Sequence, residues 1–234
     1  MSATSERRRL RRMRRREAIV VLGGAGAGAA VLAVPALRRL ASRALGGDPA
    51  WAQDCTPSPA QTEGPFYLAD APLRRNVTER LPGTPLWVSL KVVGAQACAP
   101  LPGALVEVWH ADAAGSYSGF GAASDDDVMR GRQATGQAAV TTFRTIYPGW
   151  YPGRTPHIHV KVRVGGSDVH TGQLYFDEAV TDAVYAQQPY AARGPRDTTN
   201  ATDGIFASGG AESMLVLRPR GAGYWGSLTL VVDA

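Results

Sequence analysis

The sequence predicts an all-β domain, on two observations. Short runs rich in Val, Leu and Thr follow one another from residue 86 to the C-terminus, and clusters of Pro and Gly separate them. No long stretch in this region keeps the period of a helix; one short helix is expected within residues 177–190, and residues 200–211 are expected to form a long loop. Short strands with turns between them favour a sandwich or a barrel. The expected strands are 86–93, 104–111, 136–144, 157–164, 171–176, 214–217 and 227–232.

The strand expected at 157–164 begins with a pair of histidines. Residues two apart on a strand project from the same face, so His157 and His159 are expected to point the same way. The prolines and glycines just upstream predict a tight loop that returns Tyr151 and Arg154 towards the start of this strand. Taken alone, the His-x-His pair is either a pair of metal ligands or a polar strand face.

The first 52 residues have the composition of an export leader. Residues 1–47 contain eleven arginines and two glutamates, and an apolar stretch diluted by glycine follows the basic run 7–16. A twin-arginine signal has this layout, and Ala50-Trp51-Ala52 offers a cleavage site. We therefore expect a leader over 1–52, a folded domain over 53–234, and export to the periplasm or the medium. The alternative is an uncleaved leader that anchors the protein to a membrane.

The charge that remains after the leader excludes one class of partner. From residue 48 onward the chain carries fourteen basic and eighteen acidic residues, which gives a net charge of −4. A mildly acidic domain has no electrostatic footprint for nucleic acid.

Cys55 and Cys98 are the two cysteines of the chain. Two cysteines in an exported domain most often form a disulfide, which is the pairing expected here. The alternative is two buried free thiols. Neither cysteine belongs to a Cys-x-x-Cys motif, so cysteine ligation of a metal is not expected.

Four segments of the chain carry motifs: Glu-Gly-Pro-Phe-Tyr at 63–67, Trp-His-Ala with Gly-x-Tyr at 109–117, Tyr-Pro with Arg-x-x-His-x-His at 151–159, and Gln-Leu-Tyr-Phe at 173–176. Together, in this order, they resemble the intradiol ring-cleavage dioxygenases, the family of catechol 1,2-dioxygenase and protocatechuate 3,4-dioxygenase. The resemblance implies a β-sandwich of two mostly antiparallel sheets that holds one non-haem Fe(III) per chain. The ligands that it implies are Tyr117, Tyr151, His157 and His159.

The chemistry of the donors agrees with that implied ligand set. Fe(III) is a hard, highly charged ion, and a phenolate oxygen is a hard anionic donor that favours the ferric state. A free tyrosine has a pKa of about 10, so a strong Lewis acid is needed to keep it ionised at neutral pH.

The resemblance also implies a substrate and a set of roles. The substrate is a small aromatic diol, cleaved by O₂ between its two hydroxyl-bearing carbons to give a cis,cis-muconate. Tyr151 accepts one proton from the substrate, Arg154 faces the developing negative charge, and Gln173 lies beside the ring. The residues that it assigns to the substrate pocket are Pro65, Tyr67 and Trp150.

Two other functions remain open at this level, and so does self-association into a homo-oligomer. One alternative is a metalloenzyme of another class, in which His157 and His159 bind Zn²⁺ or Fe(II) with His110 or Glu107 as a further ligand. The other is a sandwich without catalytic activity that binds aromatic compounds or a protein partner.

The leader makes a direct prediction. Replacing Arg14, Arg15 and Arg16 by Lys should keep the protein inside the cell, because the twin-arginine route depends on arginine rather than on positive charge alone. Immunoblots of cell fractions measure this, with the same change at Arg38 and Arg39 as the control. Unchanged export of the triple variant would point to another route or to a membrane anchor.

Overall fold

Two β-sheets packed face to face form the framework of the domain between residues 85 and 232. They are seen in a computed structural model that describes residues 55–121 and 127–234, all of which belong to one compact unit. The leader expected over 1–52 lies outside the described residues. No helix in the described part of the chain is long and apolar enough to cross a membrane.

The elements are numbered in chain order. The strands are β1 (Pro85–Gly94), β2 (Ala99–Pro100), β3 (Leu105–Trp109), β4 (Arg130–Ala134), β5 (Val140–Ile146), β6 (His157–Val164), β7 (Ser167–Tyr175), β8 (Val216–Arg220) and β9 (Gly223–Val232). Among the described residues there is one α-helix, α1 (Glu178–Tyr185), which begins after Asp177, whose side chain accepts hydrogen bonds from Ala179 N and Val180 N as a helix cap.

One sheet has four strands in the order β4-β3-β6-β7, and every neighbouring pair in it is antiparallel. The other sheet has five strands. Its strand β1 pairs with β2 and β5 along one edge and with β9 along the other, and β8 follows β9. The β1–β9 pair is parallel and the remaining pairs are antiparallel.

The core lies between the inner faces of the two sheets. Alternate residues of each strand point inward, and in β6 these are Ile158, Val160 and Val162, each at most 1% exposed. They pack against the inward residues of β1 and β9, such as Leu90 and Leu230. The outward residues of β6 therefore lie on the opposite face of the four-stranded sheet, which loops cover.

The predicted fold class is confirmed, and so are the strand at 157–164 and the short helix. Two differences from the predicted elements have a physical reason. Strand β4 was not predicted because its sequence, Arg-Gly-Arg-Gln-Ala, has no apolar alternation; it is an edge strand held by its ladder with β3. The strand predicted at 214–217 lies instead at Val216–Arg220, where the pairing with β9 sets its position.

The segment that follows residue 55 fastens the two sheets together. The structure joins Cys55 to Cys98 by a disulfide across a sequence separation of 43 residues. Ser58 then pairs with Val231 of β9, and Gln61 N donates to Thr171 O of β7, 2.9 Å away. The chain thus crosses from one sheet to the other just before the first of the four motifs.

Removing this disulfide should destabilise the domain. Closing a loop of that length restricts the unfolded chain by about 4 kcal/mol in the chain-entropy model, so the variant with Cys55→Ser and Cys98→Ser should lose roughly that free energy of unfolding. Chemical unfolding of the variant and of the wild type measures the loss. A reductant should lower the stability of the wild type and leave the variant unchanged; equal stability of the two proteins would contradict the prediction.

Candidate metal centre

Strand β6 sets the positions of His157 and His159. In the four-stranded sheet His159 lies between Trp109 of β3 and Gln173 of β7, and His157 lies opposite Tyr175. Both imidazoles are on the outward face and both are buried. The Trp109 ring stacks on the His159 ring at a centroid distance of 4.9 Å and an angle of 4°, which fixes the imidazole plane.

A tight turn brings Tyr151 to the same place. Arg154 N donates to Tyr151 O across the turn 151–154, with a donor–acceptor distance of 3.2 Å. Pro152 occupies the second position and Gly153, with φ of 80°, the third, which is the arrangement that a type II turn requires. The Tyr151 hydroxyl returns to within 3.2 Å of His157 Nε2.

Tyr117 reaches the site from a second turn. Asp112 Oδ1 accepts hydrogen bonds from Ala114 N and Ser116 N, so the chain folds back before Tyr117. The two tyrosine turns pack closely: a Cβ atom on Gly115 would lie 2.1 Å from Trp150 O, so only glycine fits at this contact.

A buried arginine holds Tyr117 from behind. Arg130 donates to Ser118 O (2.7 Å) and to Phe66 O (2.8 Å), which ties the Tyr117 turn to the Glu-Gly-Pro-Phe-Tyr segment. The Phe66 ring then stacks on the Tyr117 ring at 4.4 Å. Backbone carbonyls and stacked rings together fix this phenol, which is 4% exposed.

The four predicted ligands therefore converge. His157 Nε2 and His159 Nε2 are 3.1 Å apart, and Tyr151 Oη is 3.2 Å from His157 Nε2. The Tyr117 ring lies 5.6 Å from the Tyr151 ring and 6.2 Å from the His159 ring, measured between centroids. The buried Tyr117 hydroxyl has no hydrogen-bond partner in the described part of the protein.

Burial keeps both imidazoles neutral. It lowers the pKa of His157 to about 3, with a further contribution from the charge of Arg154, and it lowers the pKa of His159 well below the usual value, with a contribution from His157. His157 Nδ1 is 2.7 Å from Thr155 O, which can only accept, so that nitrogen carries the proton and Nε2 offers a lone pair. Burial also raises the pKa values of Tyr117 and Tyr151, although the charge of Arg154 opposes the shift, so both phenols remain protonated without a metal ion.

These residues fit a transition-metal ion. Two imidazole nitrogens that are 3.1 Å apart are close enough for both to serve as ligands of one ion. The hydrogen bond from His157 Nδ1 to a backbone carbonyl is the usual support for a metal-binding histidine. A metal ion here would also give the buried Tyr117 oxygen a partner, and it would favour the ionised form of both phenols.

Arg154 and Gln173 lie at the edge of the four donors. Arg154 Nη1 is 3.5 Å from Tyr151 Oη and 3.4 Å from His157 Nε2. Arg154 Nη2 donates to Gln173 Oε1 at 2.5 Å, and Gln173 Nε2 donates to Thr62 O at 3.0 Å. A fixed guanidinium thus faces the donor set.

The structure does not bring all the predicted pocket residues to this point. Tyr67 lies behind Trp109, with ring centroids 5.0 Å apart, and its hydroxyl accepts a hydrogen bond from Arg163 Nη2. Trp150 immediately precedes the turn that carries Tyr151, but the guanidinium of Arg193 covers its ring at 4.4 Å. Pro65 is exposed, next to the stacked Phe66.

The further ligands proposed for a Zn²⁺ or Fe(II) enzyme are occupied elsewhere. His110 is next to Trp109 and points to the other face of the strand, where Nδ1 is 2.8 Å from Ala111 O and Nε2 is 2.7 Å from Thr145 Oγ1. Glu107 forms an ion pair with Arg163 at 3.2 Å. Within 55–121 and 127–234 no cluster of three or more His, Cys, Asp or Glu residues could hold a metal. The donor set therefore depends on the two tyrosines, and the assignment of His110 or Glu107 as a ligand is wrong.

Three residues at the site were not assigned a role from the sequence. Phe66 and Trp109 belong to the motifs, but nothing in their spacing shows that one ring stacks on Tyr117 and the other on His159. The third is Asp203, whose Oδ2 accepts from Arg154 Nε at 2.9 Å. It lies in the stretch that the sequence predicted only as a long loop, and no local pattern indicates that its partner is 49 residues away.

Comparison with known proteins gives a family. Residues 62–193 match the family model described as Dioxygenase. Among curated proteins the chain is similar to the chlorocatechol 1,2-dioxygenase of Cupriavidus pinatubonensis, with 28% identity over 138 residues, 49% of this chain and 53% of that protein. The chain thus spans about half the length of the curated relatives of this kind.

Two solved structures match a larger share of this chain than the curated relatives do, and nearly their whole length is matched. An intradiol ring-cleavage dioxygenase from Tetranychus urticae is 33% identical, with a TM-score of 0.73 over 76% of this chain and 95% of that one. The dioxygenase domain of a dioxygenase–carbohydrate-binding fusion protein from Streptomyces sp. SirexAA-E is 38% identical, with a TM-score of 0.61 over 76% and 99% of the two chains.

Two histidine substitutions separate the possible metal sites. His159→Ala removes a donor that no neighbouring side chain can replace, so metal affinity should fall by at least about 100-fold, more than is typical for the loss of a supporting contact. His110→Ala should lower stability, because a buried side chain is lost, and should leave the bound metal unchanged. Metal content of the purified variants, measured by mass spectrometry, gives the result. Loss of metal from the His110 variant alone would contradict the site described above.

Proposed function

Since this chain belongs to the intradiol ring-cleavage dioxygenase family, we propose that it is a non-haem Fe(III) dioxygenase that cleaves a catechol-type ring between its two hydroxyl-bearing carbons. The observation that carries the proposal is the convergence of two phenols and two neutral imidazoles on one buried point, with a guanidinium beside them. The net reaction adds both atoms of O₂ to the diol and gives a cis,cis-muconate.

The four donors Tyr117, Tyr151, His157 and His159 would hold the iron. Two phenolates balance two of the three ferric charges, and the two imidazoles add none because burial keeps them neutral. When bound, the ferric ion supplies the Lewis acidity that ionises the catechol and the electron acceptance that makes its ring reactive towards O₂.

Tyr151 is suited to accept a proton from the incoming diol. Of the two tyrosines it is the less buried. The Tyr151 oxygen is 3.5 Å from Arg154 Nη1. This nitrogen can donate a hydrogen bond to the Tyr151 phenolate before the phenolate takes up the proton of the diol. The Tyr117 ring is stacked against Phe66, so it is less free to move than Tyr151.

Arg154 supplies a positive charge where negative charge develops on the ring. Its guanidinium is already directed at the donor set by the hydrogen bond to Gln173, so little reorganisation is needed during the reaction. A preorganised donor of this kind contributes about 10²–10³ to the rate.

The walls of the site suit a planar aromatic substrate. Phe66 lies edge-on to Phe120 at 5.2 Å and to Tyr151 at 5.9 Å, so three rings line the approach to the donors. Of the residues assigned to the pocket from the sequence, Pro65 at this rim is the best placed to contact a ring substituent, while Tyr67 and Trp150 would act through their neighbours. Catechol and chlorocatechols, the substrates in the names of the curated relatives, are the first compounds to test.

We further infer that the enzyme works outside the cytoplasm. The arginine-rich composition of residues 1–47 supports export, and the disulfide between Cys55 and Cys98 suits an oxidising compartment.

The function is tested by colour, metal and product together. Purified protein should contain about one ferric ion per chain and absorb visible light through its two phenolates, and the colour should bleach on reduction. With catechol and ¹⁸O₂, mass spectrometry should find both labelled atoms in a muconate, formed in a one-to-one ratio with the O₂ consumed. Removal of the iron should abolish turnover, and Fe²⁺ added in air, but not Zn²⁺, should restore it.

Three outcomes would count against the proposal. A colourless zinc protein would support a metalloenzyme of another class. A metal-free protein that binds catechols without consuming O₂ would support a binding module. An iron protein that cleaves the ring beside, rather than between, the hydroxyl-bearing carbons would keep the metal site and contradict the reaction.

A further inference from the structure

Asp203 is the most completely bonded carboxylate near the site. Its side chain is fully buried, and each of its two oxygens accepts two hydrogen bonds. Oδ1 accepts from Ile205 N (2.7 Å) and Phe206 N (3.0 Å), two amides of its own loop. Oδ2 accepts from Thr155 N (2.8 Å) and Arg154 Nε (2.9 Å), at the entrance to β6.

This arrangement determines where the Arg154 guanidinium points. The group is planar, so a bond that holds Nε also sets the directions of Nη1 and Nη2. With Nε on Asp203, Nη2 meets Gln173 and Nη1 faces Tyr151 Oη and His157 Nε2. Asp203 is the one carboxylate within ion-pair distance of Arg154 in the described part of the chain.

The contacts of Asp203 belong to a closed ring of polar groups, called here the polar ring. Asp203, Arg154, Gln173, Tyr175 and Gln61 are joined in that order, and Gln61 returns to the Asp203 loop through the backbone of Ile205. The Tyr175 hydroxyl is 3.0 Å from Gln173 Oε1 and 3.0 Å from Gln61 Oε1. Gln61 Nε2 closes the ring on Ile205 O at 2.8 Å, two residues from Asp203.

The polar ring holds the Arg154 guanidinium at Nη2 through Gln173 as well as at Nε through Asp203. Gln173 is held by β7 and Tyr175 by its place opposite His157 in the same sheet. The loop that carries Asp203 is also bonded to Gln61, so it cannot withdraw without breaking its hydrogen bonds to Arg154, Thr155 and Gln61. An arginine that must face a developing charge needs this kind of support, since a free side chain would lose that orientation to rotation.

We propose that Asp203 is a positioning residue that directs the Arg154 guanidinium at the reacting centre. The inference rests on the proposed function for its effect on rate, while the position of Arg154 can be observed without any turnover. Asp203 touches neither the donors nor the space in front of them; it acts through Arg154.

A double-mutant cycle tests this on the iron-loaded, full-length protein with catechol as the substrate. Arg154→Ala should lower kcat by about 10²–10³, and Asp203→Asn, which keeps the shape of the side chain but not its charge, by about 10–100-fold. If Asp203 acts through Arg154, the double variant should match Arg154→Ala within about threefold. If the two residues act independently, the losses should multiply.

Readouts other than rate separate positioning from a general structural role. Iron content, the visible band and the affinity for catechol without O₂ should stay at wild-type values in Asp203→Asn, because the four donors are untouched. The matched control is Asp177→Asn, the same change at the cap of α1, which should leave kcat unchanged. A crystal structure of Asp203→Asn should show the guanidinium turned away from His157 Nε2.

Several results would overturn the inference. Wild-type kcat in Asp203→Asn, multiplied losses in the double variant, or an unmoved guanidinium in the crystal structure would each do so while leaving the proposed function intact. A wild-type protein that binds iron but does not cleave catechol would contradict the proposed function, and the crystal structure alone would then decide the position of Arg154. If Asp203→Asn does not fold, Asp203→Glu keeps the charge but displaces it by one methylene, and the same cycle applies.

Discussion

The two-residue period of β6 is the constraint on which the site depends. One set of its side chains, including Ile158 and Val160, fills the space between the sheets, and the other set presents His157 and His159 to the opposite face. Ladders to β3 and β7 hold the strand on both sides, so the imidazoles cannot move independently of the core. A slip by one residue would bury the histidines in the core and expose two apolar residues in their place. The packing of the core and the positions of the two candidate ligands are therefore specified by the same register.

The tyrosines are held in a different way. Each is carried by a turn, and the turns are fixed by local chemistry: a Pro-Gly pair before Arg154 and an Asp112 carboxylate before Tyr117. Buried polar groups then join these turns to the sheet, with Arg130 behind Tyr117 and the polar ring behind Arg154. Charged groups buried in this way are stable only when their hydrogen bonds are satisfied, which makes each of them a sensitive point for substitution.

The sequence predicts some of these features and not others, for reasons that particular residues make clear. The alternation of residues 157–164 indicates the strand, and the order of the four motifs indicates the family and the donor types. Edge strand β4 has no apolar pattern to find, and it forms because β3 offers a ladder. The contact between Asp203 and Arg154, and the position of Tyr67 behind Trp109, depend on how distant segments pack, which no local period encodes. His110 was a plausible ligand by type and was excluded only by the direction of its side chain.

The parallel pairing of β1 with β9 has a consequence for the order in which the protein is made. Strand β1 is central in its sheet, but its parallel partner, β9, consists of residues 223–232, and Gln61 likewise bonds to Ile205, 144 residues further along. On the ribosome, the amino-terminal half of the domain therefore lacks both its sheet partner and part of its polar ring until synthesis is nearly over. Such a chain must remain unfolded, or be held by chaperones, while it emerges. The complete five-stranded sheet, and with it the closed polar ring, can therefore form only after nearly the whole domain has been synthesised.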